Sequence, residues 1–473
     1  MRVKLATGMT FSVLVWAAAL QAAVYQAPSA EPTPEETQIL EYMNRFRANP
    51  SAEADKILAF IKSGKAGWVA RGVDLAMFEN EMKALKPSPP LVLNLKLLDA
   101  ARKHSYYMIH NGLTHVETAG KEGFVAADFG SRCKNAGYEG GPGGENCYAS
   151  APDAWGSHVG FVVDSGPGGT GGMQPGRGHR TNMHNPGMRE VGPGAVPRSG
   201  DRGGLSVTHN MGSRKVRFVG GVVFTDRNSN EWYDLDEGVG GVSIKCSDGS
   251  EVRTWKSGAY TLALKGNAAV TVTASLGART FSQEIPAGAE NVKFDWRVPE
   301  EAALELADKL LAKVESVPGK SGPGYTNAIL ELYQATQGLA VDAPRRQKID
   351  ELTKEIGPQL EGSKKAVLEA LRNFGPEFPK VLNESQQPFQ GTAVAAWFKE
   401  AAAIGQAKGS FIGFKQQVET NKTLPEQQKR QFLTYLQGLE KQFQESEFKS
   451  ELAALIDQTI PLADPKRAGM YKR

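Results

Sequence analysis

The sequence predicts a multidomain chain with three folded parts: mixed α and β, then mainly β, then helical. Its 473 residues are enough for about three domains, and its composition, 40% hydrophobic and 23% charged, is that of a soluble globular protein. Gly and Pro are too dense after Gly112 for long helices, whereas apolar residues recur at helical spacing after Pro299. The net charge of +3 gives no reason to expect a nucleic acid as partner.

Residues 1–23 have the pattern of a signal peptide. Met1–Lys4 carries positive charge, Phe11–Leu20 is apolar, and small residues end the run at Ala22 and Ala23. The alternative is an uncleaved anchor, but Thr7, Gly8 and Thr10 make the segment a poor membrane span. We therefore expect a secreted or otherwise extracytoplasmic protein with no transmembrane segment after signal removal.

Residues 24–34 are predicted to be a linker, and a first, mixed domain is predicted over residues 35–215. A helix is expected to open at Pro34, because acidic residues in its first turn favour the helix dipole. Strands are expected at Val191–Val196 and Leu205–Met211.

All seven histidines lie between His104 and His209. Histidine titrates near neutral pH and is the commonest metal ligand, so this clustering indicates a functional site. His115 and His179 stand out, because each lies in a glycine-flanked segment beside other polar residues. The usual surface or core role is expected for four others, namely His104, His110, His158 and His184.

Short motifs follow one another around these histidines: Gly112-Leu113-Thr114-His115, Ala136-Gly137-Tyr138, Gly144-Glu145-Asn146 and Gly178-His179-Arg180-Thr181-Asn182. Their order and spacing resemble the CAP superfamily, which includes cysteine-rich secretory proteins, antigen 5, plant pathogenesis-related proteins and many secreted bacterial proteins. Each motif is weak alone, but the series is specific. The resemblance covers residues 35–215 and implies an α-β-α sandwich there.

The resemblance also implies that His115, Glu145 and His179 line a cleft with a second acid, for which Asp164 is the best candidate. Two imidazoles and two carboxylates can hold a divalent metal, and we expect Zn²⁺. The same groups can instead activate a water by general-base chemistry, with Glu145, His115 and His179 as the catalytic residues. A third alternative is a cleft whose polar side chains only hydrogen-bond one another.

Two classes of function therefore stay open. The first is a secreted protein that binds a divalent metal and an extracellular lipid, protein or envelope component without catalysis. The resemblance favours this class, because catalysis is not a settled property of that family. The second is a secreted metal-dependent hydrolase, most simply a peptidase, although neither a Gly-x-Ser-x-Gly elbow nor a His-Glu-x-x-His motif occurs.

Cys133 and Cys147 fall within the CAP-like region, and the third cysteine, Cys246, lies further along the chain. In an oxidising compartment a Cys133–Cys147 disulfide would close a short loop beside Glu145. The alternative is two buried free thiols. Cys246 is expected to be a buried strand residue.

A β domain is predicted over residues 216–298, with a calcium-type loop after its first strand. Loop positions 1, 3, 5, 7, 9 and 12 carry oxygen ligands, which suits a hard cation such as Ca²⁺. They are Asp226, Asn228, Asn230, Trp232 through its carbonyl, Asp234 and Glu237. Position 6 is Glu231 rather than Gly, which argues against EF-hand geometry, and an Asx-rich turn without metal is the alternative. The loop, with Ser257–Leu262, resembles B-type, Ig-like modules of bacterial surface proteins, which implies a β-sandwich.

Residues 299–473 are predicted to form a helical domain of unknown family. Leu304, Ala307 and Leu311 keep one apolar face. Turn-forming pairs are expected to divide the region into about five to seven helices, at Pro318-Gly319, Gly357-Pro358, Gly375-Pro376 and Leu424-Pro425. An interaction or spacer bundle is the default interpretation.

Overall fold

The computed structural model describes residues 25, 27, 29–198, 204–277, 279–336, 339, 341–392, 394–420, 425–443 and 448–463. The predicted signal peptide, residues 1–23, lies outside the described residues. Helices and strands mix in the first part of the chain, three sheets are present, and the C-terminal part is helical. Within the described ranges, no helix is both long and apolar enough to span a membrane.

The first part consists of a four-stranded sheet and eight helices. In chain order the elements are α1 (Pro34–Ala48), α2 (Pro50–Lys62), α3 (Gly67–Ala70), α4 (Leu75–Ala84), β1 (Val92–Leu93), α5 (Leu95–Asn111), α6 (Phe129–Asn135), β2 (Gly141–Ala151), α7 (Ala154–Val163), α8 (Gly178–His184), β3 (Glu190–Pro197) and β4 (Leu205–Ser213). Helix α1 begins at a capping box in which Thr33 and Glu36 each accept a hydrogen bond from the other's backbone N–H. The helix predicted from Pro34 and the two predicted strands are confirmed as α1, β3 and β4.

Helices contact both faces of this sheet, whose strand order is β1-β3-β4-β2. Neighbouring residues of a strand point to opposite faces. In β4, Thr208 accepts a hydrogen bond from Ser105 of α5, whereas His209 packs against Phe161 of α7. Strand β2 pairs only with β4 and is therefore an edge strand. A Cβ at Gly192 of β3 would lie 2.0 Å from the α5 backbone, so glycine there permits the close approach of α5.

The second part contains two further sheets. Its strands are β5 (Phe218–Phe224), β6 (Ser243–Cys246), β7 (Glu251–Arg253), β8 (Ala259–Ala263), β9 (Val270–Leu276), β10 (Arg279–Ile285), β11 (Val292–Lys293) and β12 (Trp296–Arg297). One sheet has the order β10-β9-β6-β7; in the other, β5 lies between β11 and β12 on one edge and β8 on the other. Val219, Ile244, Tyr260 and Phe294 contribute to one apolar core between the sheets. Cys246 is buried at the end of β6, as predicted.

The C-terminal part contains eight α-helices within the described ranges, more than the predicted five to seven. They are α9 (Glu300–Glu315), α10 (Gly322–Ala335), α11 (Ala343–Thr353), α12 (Ile356–Arg372), α13 (Phe378–Gln386), α14 (Ala395–Thr420), α15 (Glu426–Gln442) and α16 (Lys449–Ala463). The predicted break near Gly357-Pro358 is confirmed, because α11 ends at Thr353 and α12 begins at Ile356. Pro358 lies in the first turn of α12, where proline costs no helical hydrogen bond. Helices α9 to α11 share the apolar core of the two β sheets, and the later helices form a separate core.

Helix α1 also joins the first part to the second. The Thr37 hydroxyl donates to Ser257 Oγ at 2.7 Å, and the Lys293 ammonium lies 2.8 Å from Oε2 of the buried Glu41. The four-stranded sheet of the first part and the β sheets of the second part therefore pack on different sides of α1.

Candidate functional site

His115 and Glu145 form the first of the two histidine–carboxylate pairs among the predicted site residues. His115 lies in the loop after α5, and its Nδ1 is 2.9 Å from Oε1 of Glu145 on β2. Oε2 of Glu145 accepts a hydrogen bond of 2.6 Å from Arg132 of α6, whose side chain is completely buried. Both carboxylate oxygens are thus engaged. The His115 ring is 56% exposed, and within the described part of the chain its Nε2 has no hydrogen-bond partner.

His179 and Asp164 form the second pair. His179 lies in the first turn of α8, and its Nδ1 is 2.7 Å from Oδ1 of Asp164. The His179 backbone N–H donates to Oδ2 of the same carboxylate at 3.1 Å. Asp164 ends α7 with a φ of +57°, a left-handed conformation that Asp tolerates better than most residues. This conformation turns a fully buried carboxylate towards the start of α8.

Asn146 connects the two pairs at the edge of the sheet. Its side chain donates to the backbone carbonyl of His179 at 3.1 Å and accepts from Asn182 of α8 at 2.9 Å. A Cβ at Gly144 would lie 3.0 Å from the Asn182 side chain, so glycine lets α8 approach β2. Helix α8 therefore covers the edge of β2 that has no strand partner.

The two pairs approach this edge from opposite faces of the sheet. Glu145 and Asn146 are consecutive strand residues, so their side chains point to opposite faces. Glu145 faces α6 with His115, whereas Asn146 faces α8 with His179. The structure therefore brings His115 to Glu145 and His179 to Asp164, as two pairs rather than as one cluster of four.

A different trio has ligand atoms within 4.8 Å of one another: His104, Glu145 and Cys147. Its donors are already engaged. His104 contacts Glu117 at 2.9 Å and the Thr114 carbonyl at 2.8 Å. Burial and then the charge of Glu145 raise the pKa of the Cys147 thiol, which disfavours the thiolate that a metal needs. Because the buried Arg132 already supplies positive charge to Glu145, this trio is a poor metal site.

The charge of Glu145 is maintained despite its burial. Burial alone raises the pKa of a carboxyl group, but the hydrogen bond from His115 and the charges of His104 and Arg132 outweigh it and lower the pKa of Glu145. A carboxylate only accepts hydrogen bonds, so in the neutral imidazole of His115 the proton is on Nδ1 and the lone pair is on Nε2. The same reasoning applies to His179 against Asp164. Each pair can therefore present one nitrogen to a metal or to a proton.

The other histidines have structural environments. His104 and His158 are completely buried, each against a glutamate, and His184 contacts the backbone carbonyl of Lys86. His110 lies on the surface of α5. His209 is buried, neither of its ring nitrogens is hydrogen-bonded to a described residue, and burial lowers its pKa to about 3. The first four match the ordinary role that was predicted for them.

Cys133 and Cys147 are separate buried thiols in the structure. This is the alternative of two buried free thiols rather than the disulfide. Cys133 packs in a small apolar cluster between α5 and α6, whereas Cys147 points towards His115, with its sulfur 3.5 Å from Nδ1. The two side chains thus serve different contacts.

The predicted calcium loop, residues 226–237, follows β5. The Asp226 carboxylate accepts hydrogen bonds from the backbone N–H groups of Asn230 and Glu231, at 3.1 and 2.9 Å. Glu237 is buried and accepts two further bonds from loop N–H groups, both at 2.9 Å. The carboxylates are therefore held inside the loop by its own backbone.

The remaining predicted ligands lie in the same loop. Oδ2 of Asp234 accepts hydrogen bonds from the side-chain amides of Asn228 and Asn230, at 2.8 and 2.6 Å. The backbone N–H of Trp232 donates to Asn230 Oδ1 at 2.8 Å. All six predicted residues are thus tied into one loop.

Glu231 occupies the sixth position of this loop, where an EF-hand would have Gly. It adopts a left-handed conformation with a φ of +61°. The hydrogen bond to Asp226 and an ion pair with Arg297 at 3.2 Å offset the strain of that conformation. The turn is present without the glycine.

Sequence reasoning missed Arg132 and the role of Asn182. Arg132 carries no motif signal, since a single arginine between Ser131 and Cys133 is most simply a surface residue. Asn182 lies in the Gly-His motif, but only the packing of α8 against β2 gives it its contact with Asn146.

Comparison with known proteins gives one result for this region. Residues 40–211 match the family model described as CAP, the cysteine-rich secretory protein family. Searches of curated proteins and of solved structures returned no significant match. The matched segment begins in α1 and ends in β4, and it includes both histidine–carboxylate pairs. Residues 40–211 are therefore assigned as a CAP domain by this match, which covers less than half of the chain.

Proposed function

We propose that this chain is an exported CAP-domain protein that binds one divalent transition metal, most simply Zn²⁺, beside the edge strand β2, where Nε2 of His115 from one face of the sheet and Nε2 of His179 from the other reach the same ion. The observation that carries the proposal is the pairing of each histidine with a carboxylate at Nδ1, which leaves Nε2 as the available nitrogen. Metal-bound histidines commonly donate their other ring N–H to a carboxylate in this way.

The two carboxylates have a supporting role in this proposal. Both oxygens of Glu145 and both oxygens of Asp164 are occupied by hydrogen bonds. They orient the imidazoles and increase their basicity, and water or a ligand donor completes the coordination of the metal. When bound, the metal would act as a Lewis acid or as a bridge to an extracellular lipid, protein or envelope component.

Binding without turnover is the better-supported version. The sulfur nearest to a site histidine belongs to Cys147, and burial raises the pKa of that thiol, so it is a poor nucleophile. A metal-dependent hydrolase, of the peptidase kind, would instead use His115, Glu145 or His179 on a water. Unchanged peptide substrates after incubation with the zinc-loaded protein would support binding alone, and cleavage that His179→Ala abolishes would support the hydrolase.

Titration calorimetry with zinc at pH 7.5 tests the metal site on the full chain. His115→Ala and His179→Ala each remove a ligand and are expected to weaken zinc binding more than about tenfold. Asp164→Asn is expected to weaken it by about 10- to 100-fold through loss of orientation. Affinity should also fall below about pH 6, because ligation requires neutral imidazole.

His110→Ala is the matched control. His110 is a surface histidine of α5 whose acidic neighbour, Glu122, lies at 3.7 Å, so its removal should leave zinc affinity unchanged. Equal affinities in the wild type, His115→Ala and His179→Ala would contradict the proposal. The remaining interpretation would then be a cleft in which the four polar side chains only hydrogen-bond one another.

Calcium binding by the loop of residues 226–237 is a second proposed function. It is supported by the left-handed turn at Glu231, which gives a loop without glycine the bend that a calcium loop requires. A ligand that binds only the folded state raises the melting temperature with its concentration. We expect the β part of the full chain to unfold at a higher temperature in calcium than in EGTA.

Asp226→Asn should abolish this calcium-dependent increase, because it removes a charged ligand at the first loop position. Asp236→Asn is the control, since Asp236 is exposed, is not a predicted ligand, and has a φ of +66° that Asn also accepts. Identical melting of the wild type in calcium and in EGTA would leave the Asx-rich turn without metal.

A further inference from the structure

A cavity of about 310 Å³ lies between the CAP domain and the β part, away from the histidine cleft. It is bounded by α1, by the end of β5, by the calcium-type loop and by the segment around β12. The residues that line it are Glu41, Phe224, Glu231, Trp232, Tyr233, Asp295 and Arg297. Pockets at domain junctions are common places for small-molecule sites.

Two buried polar atoms of this lining lack a partner among the described residues. Beside them, Oε2 of the buried Glu41 lies 2.8 Å from the Lys293 ammonium. The hydroxyl of Tyr233, a residue that is 2% exposed, and the indole N–H of Trp232 are buried and unpaired. Buried polar groups are nearly always hydrogen-bonded in native proteins, so unpaired ones call for an explanation.

The unpaired groups lie in one electrostatic environment. Burial and then the charge of Glu41 raise the pKa of Tyr233, which places the hydroxyl under the influence of that carboxylate. Burial also raises the pKa of Glu41 to about 7. A cation between Glu41 and Tyr233 would stabilise the ionised carboxylate of Glu41 and would contact the Tyr233 hydroxyl oxygen. It would therefore lower the pKa of both groups.

Acidic groups also outnumber basic groups around the cavity. Lys293 lies between Glu41 and Asp295, and Arg297 lies between Asp226 and Glu231. Each cation is therefore shared by two carboxylates, and the lining itself carries three acidic groups and one basic group. Arg45, which lies over the Trp232 ring at 4.6 Å, is paired with Glu53. The cavity has an excess of negative charge, which favours a positively charged ligand.

We propose that this cavity binds a small molecule that carries a primary ammonium group next to a hydroxyl or carboxylate oxygen. The ammonium donates to Oε1 of Glu41 and to the Tyr233 hydroxyl oxygen. The Trp232 indole N–H donates to the neighbouring oxygen of the ligand. Amino sugars and α-amino acids share this chemistry. The site is independent of the proposed zinc cleft.

Ligand-observed saturation-transfer NMR on the full chain, with calcium held constant, tests the proposal with D-glucosamine, L-alanine and their N-acetylated forms. At least one of the two amines should bind about tenfold more tightly than its acetylated form, which has lost the ammonium. The amine that binds identifies the source, an amino sugar or an amino acid. Failure of both amines to bind, or equal binding of amines and acetylated forms, would overturn the proposal.

Tyr233→Phe is the most informative variant. Its hydroxyl has no partner among the residues that the structure describes, so its removal should leave the melting temperature unchanged or higher, while amine binding weakens about tenfold. Glu41→Gln should weaken binding at least as much, and Tyr233→Phe carries the test if Glu41→Gln fails to fold. Glu305→Gln, in an exposed pair with Arg279, is the control and should bind like the wild type. Unchanged amine affinity in Tyr233→Phe would refute the assigned site.

Discussion

Replacement of Glu53 by Gln should destabilise the CAP domain in a way that depends on pH. Glu53, on α2, is completely buried and accepts two hydrogen bonds from Arg45, at 2.6 and 2.8 Å. Its Oε1 also lies 2.9 Å from Nε2 of His158 on α7. The carboxylate thus joins α1, α2 and α7 at one point, and the Gln side chain keeps the shape but removes the charge.

The magnitude follows from the pKa of Glu53. Burial raises this pKa, but the hydrogen bonds from Arg45 and His158 outweigh burial and lower it from 4.5 to about 2. A difference of this size corresponds to about 3 kcal/mol of folding free energy. Loss of one partner of a buried ion pair costs about 3–5 kcal/mol in other proteins, which agrees in size.

The sign is set by proton binding. Because the folded pKa is depressed, the unfolded chain binds more protons than the folded chain between pH 4.5 and about 2. The stabilisation is therefore complete above pH 4.5 and is lost as the pH falls through 2. His158 acts in the same direction, since burial lowers its pKa and the unfolded chain protonates this histidine first as the pH falls.

Hydrogen exchange of α2 and α7 peptides, measured between pH 7 and pH 3, reports the stability of this region rather than of the whole chain. At pH 7, Glu53→Gln should reduce the free energy of opening by about 3 kcal/mol, and the gap to the wild type should narrow as the pH falls. Glu305→Gln, in an exposed ion pair, should follow the wild type at every pH. A constant gap, or none, would refute the assigned role of the Glu53 charge.

Two further predictions concern the neighbourhood of Glu145. Arg132→Met leaves Glu145 and Glu117 without their shared buried cation. It should lower the free energy of urea unfolding by about 3 kcal/mol or more. A decrease below about 1 kcal/mol would show that these carboxylates do not depend on Arg132. Cys133 and Cys147 should resist a thiol reagent in the native protein, because burial raises the pKa of Cys133 to about 12 and also raises the pKa of Cys147. After denaturation without reductant, all three cysteines should react. A single reactive thiol under those conditions would instead indicate the Cys133–Cys147 disulfide.

Local sequence was sufficient for several features of this protein. Thr33 and Glu36 form a capping box from residues three positions apart, so the start of α1 is a local property. The strands β3 and β4 and the buried position of Cys246 follow from short apolar runs. The motif series identified the CAP domain, because the order of motifs along the chain can be read without any knowledge of contacts.

Other features are decided only by the fold. His115 and Glu145 lie 30 residues apart, and they pair because β2 and the loop after α5 meet beside Arg132. The left-handed turn at Glu231 depends on Asp226 and Arg297 and cannot be read from a glycine that is absent. The C-terminal part divides into eight described helices, because helix boundaries also occur where no adjacent Gly and Pro mark them, as between α13 and α14.

The histidines show most clearly which features the sequence determines and which the fold decides. Their clustering and their glycine-flanked segments are properties of the sequence alone, and they pointed to His115 and His179 as the pair of interest. Which ring nitrogen remains available depends on where Glu145 and Asp164 come to lie, and those positions are set by β2 and by the left-handed end of α7. The physical reason is that a hydrogen bond selects one atom by distance and direction, and sequence spacing carries neither.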